Sequence, residues 1–365
     1  MFNCLMEKLE ISVPIIQAPM AGVSTPTLAA AVSNSGALGS ISVGAMTVEA
    51  ARQSINETKA LTHCPFNVNV FCHETASPHP ARHSTWLKML TPLFNDLGTT
   101  PPIDLNEIYL SFNHNEAMLN LLLEMRPAVV SFHFGLPPKN MIEVLKEAGI
   151  ILMASVTNLR EARIIEDANL DAIIAQGFEA GGHRGIFKLT EKDNSLGTFA
   201  LTRLLARELK TPVISAGGIM DGAGVHAALI LGAQAVVMGT AFISCPESAA
   251  DENFRAALQS PRAENTIITS VISGRPARGL PNKLTDFVSK IDCPSIPAYP
   301  FAYDATKALN AAAKATGSAD FAVHWAGQGA PLARAIPAAE LIEVLKIELS
   351  NSLKSNLTSC SSLAQ

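Results

Sequence analysis

The chain has 365 residues, of which 48% are hydrophobic and 16% charged, which excludes a disordered polymer and supplies apolar material for a large buried core. Length alone fits about two domains, although an α/β barrel takes up to about 250 residues as one unit. The 27 basic and 32 acidic residues give a net charge of −5 with no basic tract, which argues against a nucleic-acid partner or an anionic membrane surface.

The first ten residues, MFNCLMEKLE, carry charge without an apolar run behind them and do not read as a targeting segment. Short apolar runs then recur at 14–20 (PIIQAPM), 37–43 (ALGSISV), 66–71 (FNVNVF), 129–134 (VVSFHF), 151–156 (ILMASV), 171–177 (DAIIAQG), 212–218 (PVISAGG) and 235–242 (AVVMGTAF). Most lead through a turn signal into helical spacing, at 25–35, 47–60, 140–148, 159–167, 198–209 and 222–231. Eight such units predict an α/β fold, a (β/α)8 TIM barrel spanning 1–245. Two uncharged stretches, 11–48 and 222–246, are broken by Gly, Pro, Ser and Gln, so they suit strands covered on both faces rather than membrane spans.

The rhythm breaks twice. The gap at 72–128 is too long for one crossover helix and predicts a helix plus an inserted loop rich in His and Pro. Beyond Cys245 the region 246–325 predicts a mostly helical cap over one mouth of the barrel, and 326–349 a closing segment ending in the helical pattern 338–349. The polar stretch 350–365 predicts a frayed tail. Six scattered cysteines (4, 64, 72, 245, 293 and 360) without CxxC spacing read as reduced thiols of a cytoplasmic protein. His79 and His83 are four apart but lie in the Pro-rich insertion and read as surface residues, so no metal site is expected.

The active face of such a barrel lies at the strand C-termini, with phosphate at the seventh and eighth strand ends. Here those ends carry Ala216-Gly217-Gly218-Ile219 and Val237-Met238-Gly239-Thr240. One glycine pair could merely make a tight turn; glycines at both ends point to main-chain amides around a phosphate. Gln17, Met20, Asn67, Asn69, His133 and Gln176 fall at strand ends facing the same mouth. Several amides there suit the edge of a flavin ring, although each alone is equally a satisfied core group. The loop 175–185 (AQGFEAGGHRG) follows a clean strand, and its glycines present His183 over the mouth as a candidate catalytic residue, either a base or an anion holder.

These motifs resemble the class I nitronate monooxygenases (the 2-nitropropane dioxygenase family). The resemblance runs through 14–40 (PIIQAPMAGVSTPTLAAAVSNSGALGS), NVNVF, SFHFGLP, AQGFEAGGHRG, SAGGIMDG, VVMGTAFI, GRPARGLPN and WAGQGAPLAR. It implies FMN held by Met20, Asn69, Gln176, Gly181, Gly218, Val237, Met238, Gly239 and Thr240, with His183 catalytic. It implies oxidation of alkyl nitronates, propionate 3-nitronate among them, by O2 to a carbonyl compound and nitrite, in a detoxifying monomer or homodimer. It also places Tyr109, His133, Tyr299, Tyr303 and Lys307 in the substrate pocket. The spacing of Tyr299, Tyr303 and Lys307 would align them on one helical face, which by itself reads as an exposed face. The alternative enzyme is an FMN-dependent NAD(P)H:quinone or enoyl-thioester reductase on the same barrel; no GxGxxG opens a helix, which counts only weakly against it.

Overall fold

Period-two alternation decides what each barrel strand turns inward. The computed structural model describes residues 4–362, with side chains up to 354, so the tail residues 363–365 and the Cys360 thiol lie outside the described set. Its strands are β1 (Ile15–Gln17), β2 (Gly39–Ser42), β3 (Phe66–Phe71), β4 (Val129–His133), β5 (Ile151–Val156), β6 (Ala172–Gln176), β7 (Gly182–His183), β8 (Val213–Ala216), β9 (Ala235–Met238), β10 (Ile267–Thr269) and β11 (Ala277–Gly279). Eight of them form a parallel sheet in the order β1-β9-β8-β6-β5-β4-β3-β2. Its two ends meet at a parallel bridge between Ile16 and Leu38, where the Gln17 N–H donates to the Leu38 carbonyl at 2.9 Å. The fold is the expected (β/α)8 barrel.

Outward residues such as Val68, Val70, Val130, Phe132, Leu152 and Ala154 pack under the helices in one large core. Inward residues near the strand starts are also apolar. Ile16, Leu38, Val129, Met153, Ala172, Ile214 and Ala235 meet Leu5, Leu9 and Ile11 from the N-terminal segment, which plugs the bottom. Towards the C-terminal ends the inward positions turn polar. Register sets Ser42 beside Asn69, Asn69 beside Ser131, and Gln176 beside Ala216. Helix starts were legible because Thr25, Thr47, Asn158 and Asp221 each cap one with a side-chain oxygen.

Four readings change. The gap between β3 and β4 holds two helices: Pro80–Asp96 packs with Phe301–Ala315 in the cap, and Glu116–Met125 is the crossover. His83 is buried against Phe301 at a ring distance of 4.8 Å, which corrects its surface reading, whereas His79 is exposed as expected and caps its helix by accepting from the Arg82 N–H. The cap is not all helical. β10 and β11 form an antiparallel ribbon that β7 joins, pairing His183 with Ala277. Two- and three-residue strands carry too little periodicity to be read in advance. Finally, the last helix, Ala338–Ser362, continues through the stretch expected to be irregular. It is anchored past Leu349 by Ser352, whose hydroxyl lies 2.8 Å from His226 Nδ1 on the neighbouring helix Gly222–Ile230.

Candidate active site

A cavity of about 520 Å³ opens at the C-terminal mouth of the barrel. It brings together Met20, Asn69, Gln176, Gly181, Gly218, Val237, Gly239, Thr240, Tyr109, His133, His183, Tyr299, Tyr303 and Lys307. Met238 is the exception among the expected contacts. Its side chain points out of the barrel into the core with Val225 and Phe242, leaving only its main chain near the mouth. Gln17 and Asn67 are also outside the lining: Gln17 bonds Ser24 and the Ser40 N–H, and Asn67 donates to the Ser40 hydroxyl. Among the described residues, no Asp or Glu lines this cavity.

The loop carrying His183 is fastened from several sides. The Gln176 side chain donates to the His183 carbonyl at 2.9 Å and accepts the Gly185 N–H at 2.8 Å. Buried Arg184 donates to the carbonyls of Gln176 and Gly177 and pairs with Asp193 at 2.8 Å. Glu179 accepts both the N–H and the hydroxyl of Thr198. Main-chain pairing to β11 completes the restraint. His183 therefore lies on the edge strand of a short ribbon rather than at the tip of a free loop.

Its ring sits in an aromatic cage, with centroids of Trp325, Phe134, Tyr299 and Tyr303 between 5.2 and 6.1 Å away. Nε2 lies 2.9 Å from Ser273 Oγ. The Ser273 hydroxyl donates to the Arg275 carbonyl at 3.1 Å, so His183 donates from Nε2 and keeps its lone pair on Nδ1. Burial first, then the neighbouring His133 and Arg275, pushes His183 down to about 3. The imidazole is neutral at physiological pH, with a donor on Nε2 and a lone pair on Nδ1. His133 is held down to about 4, chiefly by burial, and its Nε2 faces the His183 carbonyl at 3.2 Å. A carbonyl only accepts, so the His133 proton is on Nε2.

The roof comes from the cap. Tyr303 and Lys307 stand on helix Phe301–Ala315, whereas Tyr299 precedes it, so the three do not share one helical face as the spacing suggested. Tertiary packing still converges them. The Lys307 ammonium lies 4.7 Å from the centre of the Tyr109 ring and 5.7 Å from that of Tyr303. Tyr109 reaches the roof because the Asn106 N–H donates to Asp304 on the same helix at 2.8 Å. Burial pushes the Tyr109 phenol up to about 12, aided by Asp304, and raises Tyr299 and Tyr303 as well. All three are protonated donors at neutral pH.

One wall is main chain. A Cβ on Gly181 would fall 2.5 Å from the Gly327 nitrogen, and Gly218 sits at φ +69°, in the left-handed region. The Gly327 N–H donates to Thr240 Oγ1 at 3.0 Å, which ties the segment 325–329 to the end of β9. Sequence reasoning quoted that segment but gave Trp325, Gly327 and Gly329 no role; all three line the cavity. It also missed Ser42, Ser131 and Ser155, whose inward parity was available, and Phe134, which follows β4 at φ +75°. Ser273 had no sequence signal at all.

The family model for nitronate monooxygenase matches residues 3–348. The chain belongs to the nitronate monooxygenase family. It is 56% identical to a nitronate monooxygenase of Paraburkholderia phytofirmans over 96% of both chains. It is 54% identical to one of Pseudomonas aeruginosa, covering 93% of this chain and 97% of that one. Among solved structures, the nitroalkane oxidase from Streptomyces ansochromogenes superposes with a TM-score of 0.87 at 36% identity, covering 94% of this chain and 98% of that one. Family membership makes the protein an oxidoreductase, and the reductase alternative has the weaker support. Among the described residues, no helix is long and apolar enough to cross a membrane.

Proposed function

We propose that the cavity holds FMN and that the enzyme oxidises alkyl nitronates with O2 to a carbonyl compound and nitrite, with propionate 3-nitronate as a fitting detoxification substrate. The observation that carries this reading is a carboxylate-free cavity in which one ammonium and three protonated phenols face a neutral imidazole. Such a set favours an anion and offers it donors without a competing negative charge.

The residues present fit FMN. Gly181, Gly218 and Gly239 line the cavity with main chain that a phosphate could approach, and Asn69 and Gln176 line it with amides suited to the ring edge. Both amides are already partly engaged, Asn69 donating to Ser131 and Gln176 to the His183 carbonyl, so they would hold the ring while themselves held in place. Bound FMN supplies the redox chemistry with oxygen. The chain supplies the rest. Lys307 attracts the nitronate, the phenols of Tyr109, Tyr299 and Tyr303 donate to its oxygens, and the aromatic cage excludes water. His183 Nδ1 is free to take a proton from a neutral nitroalkane.

In this reading, 1–245 is the FMN-binding unit and 246–325 the substrate cap, since Tyr299, Tyr303 and Lys307 all come from the latter. The free cysteines, with Cys72 and Cys245 buried, support a cytoplasmic location, and a monomer or homodimer suffices for the site. The test is spectroscopic and polarographic. The purified protein should show a flavin spectrum, release FMN on heating, and take up oxygen with propionate 3-nitronate in the absence of NADH. Protein that stays colourless after incubation with FMN, or oxygen uptake that requires NADH, would overturn the proposal.

A further inference from the structure

Directly behind the aromatic cage lies a cation that the proposed chemistry does not use. Arg275 is 3% exposed and has no ion-pair partner among the described residues. Its guanidinium stacks over the Phe134 ring at 4.3 Å and donates to the Ile186 carbonyl, while its Nε has no hydrogen-bond partner. Phe134 is the shared wall. Its other ring neighbours include His133 at 4.4 Å, Phe71 at 5.3 Å, Tyr299 at 5.5 Å and His183 at 5.6 Å between centroids. Phe134 also holds a left-handed backbone conformation, at φ +75°, which a bulky residue keeps only where its surroundings enforce it.

We propose that Arg275 is an electrostatic positioning residue: a buried, unpaired cation that holds Phe134 against His183 and favours anions in the cavity. Burying a charge without a carboxylate is costly, and the cost serves a purpose only if the charge acts on something nearby. The two ring contacts put the guanidinium within about 10 Å of His183, where a unit charge at an effective dielectric near 20 changes a binding constant about tenfold.

The groups that face His183 are His133 from β4, Arg184 beside it in the chain, the phenols of Tyr299 and Tyr303, and Lys307 behind Tyr303. His73 sits edge-on to Phe134 and Tyr299. The carboxylates that act on Arg275, Glu74 and Glu161, do so from beyond ion-pair distance and do not neutralise it. Both His183 and His133 are lowered in part by Arg275, and Arg275 itself, brought down to about 10 mainly by burial, stays charged at neutral pH.

The inference rests on reading the cavity as an anion site, and it is tested by binding rather than turnover. Sodium nitrite, an anion, and neutral nitroethane at pH 6 are titrated into the flavin-loaded protein and followed by the flavin absorbance. Arg275→Met should weaken nitrite about tenfold and leave nitroethane within about twofold, while Arg275→Lys stays within about threefold of wild type for both. Arg275→Gln keeps a donor for the Ile186 carbonyl and carries the same expectation if the Met variant does not fold. Equal losses for the anion and the neutral ligand, or an unchanged nitrite affinity, would overturn the proposal. The wild type provides a further arm: nitrite affinity should be flat from pH 8 to about 5.5, and a midpoint near the ordinary histidine value of about 6.5 would also overturn it. An unchanged nitrite affinity in the neutral variants removes Arg275 while wild-type nitronate turnover persists; absent wild-type turnover removes the reading of the cavity instead.

Discussion

The Gln176 side chain donates to the main-chain oxygen of His183 across the turn between β6 and β7, at 2.9 Å. The same side chain accepts the Gly185 N–H, so one amide fixes the carbonyl of the proposed base and the nitrogen two residues later. Gln176→Leu leaves the Gly185 N–H buried and unpaired, and leaves the His183 carbonyl with His133 alone. The unpaired group carries a cost of about 1–3 kcal/mol. The expected outcome is a thermal midpoint several degrees lower, together with reduced kcat/KM on nitronates, measured by a melt and an oxygen electrode. A variant with an unchanged melting temperature would show that the loop is held by Arg184 and the β7–β11 pairing alone.

His183→Asn keeps a polar side chain in the cage but has no basic nitrogen. General-base catalysis contributes about 10²–10⁴-fold, so turnover of neutral nitroalkanes should fall by that order while FMN stays bound. Preformed nitronates need no deprotonation and should lose less. The comparison of the two substrates in steady-state oxygen uptake separates the base from a merely orienting role.

Four buried histidines set the acid stability. His73, His133 and His324 are held down to about 4 and His183 to about 3, in each case chiefly by burial. Their ordinary value is about 6.5, so between pH 6.5 and 4 the unfolded chain binds protons that the native state refuses. Stability must therefore fall as pH falls through that window, by up to about 1.4 kcal/mol per pH unit for each group. The free energy of urea unfolding, measured from pH 7 to 4.5, should decline with a slope approaching four protons. A flat profile would mean that these imidazoles are solvated or paired in the native state.

What was legible in the sequence follows from which forces act locally. The eight strands, the capped helices and the glycine-lined strand ends could be read because burial on both faces, cap chemistry and positive φ leave marks within a few residues. The inward side chains of β3, β4 and β6 followed from alternation, and that placed Asn69, His133 and Gln176 correctly at the mouth. Met238 turns its side chain into the outer core and leaves only main chain near the mouth, while Asn67, inward like Asn69, lies one layer deeper and bonds Ser40. Tyr299 reaches the roof by tertiary packing, not by the helical register that its spacing suggested. The β7–β11 ribbon, Ser273 and Arg275 were invisible because their partners lie about 90 residues away in the chain, where no local pattern reports them.

Gly181 tests the main-chain wall. A Cβ there would sit 2.5 Å from the Gly327 nitrogen and 2.6 Å from the Ala326 carbonyl carbon, both backbone atoms that cannot swing aside. Gly181→Ala should force the segment 325–329 away from the cavity and disturb the proposed phosphate contact. The expected outcome is protein purified largely free of flavin, read from the absorbance ratio of flavin to protein, with added FMN restoring only part of it.

Lys307 tests the roof. Its ammonium lies over the Tyr109 and Tyr303 rings and has no ion-pair partner among the described residues, so its charge is available to a ligand. If the attraction acts equally on bound substrate and transition state, its removal raises KM with little change in kcat. Lys307→Met keeps much of the apolar stem against the tyrosines. It should raise the KM for propionate 3-nitronate, a dianion, by about tenfold or more, and that for a singly charged alkyl nitronate by less. Added salt should weaken wild-type binding of the dianion and leave the variant nearly unaffected. Equal KM changes for the two nitronates would place the effect in packing rather than in charge.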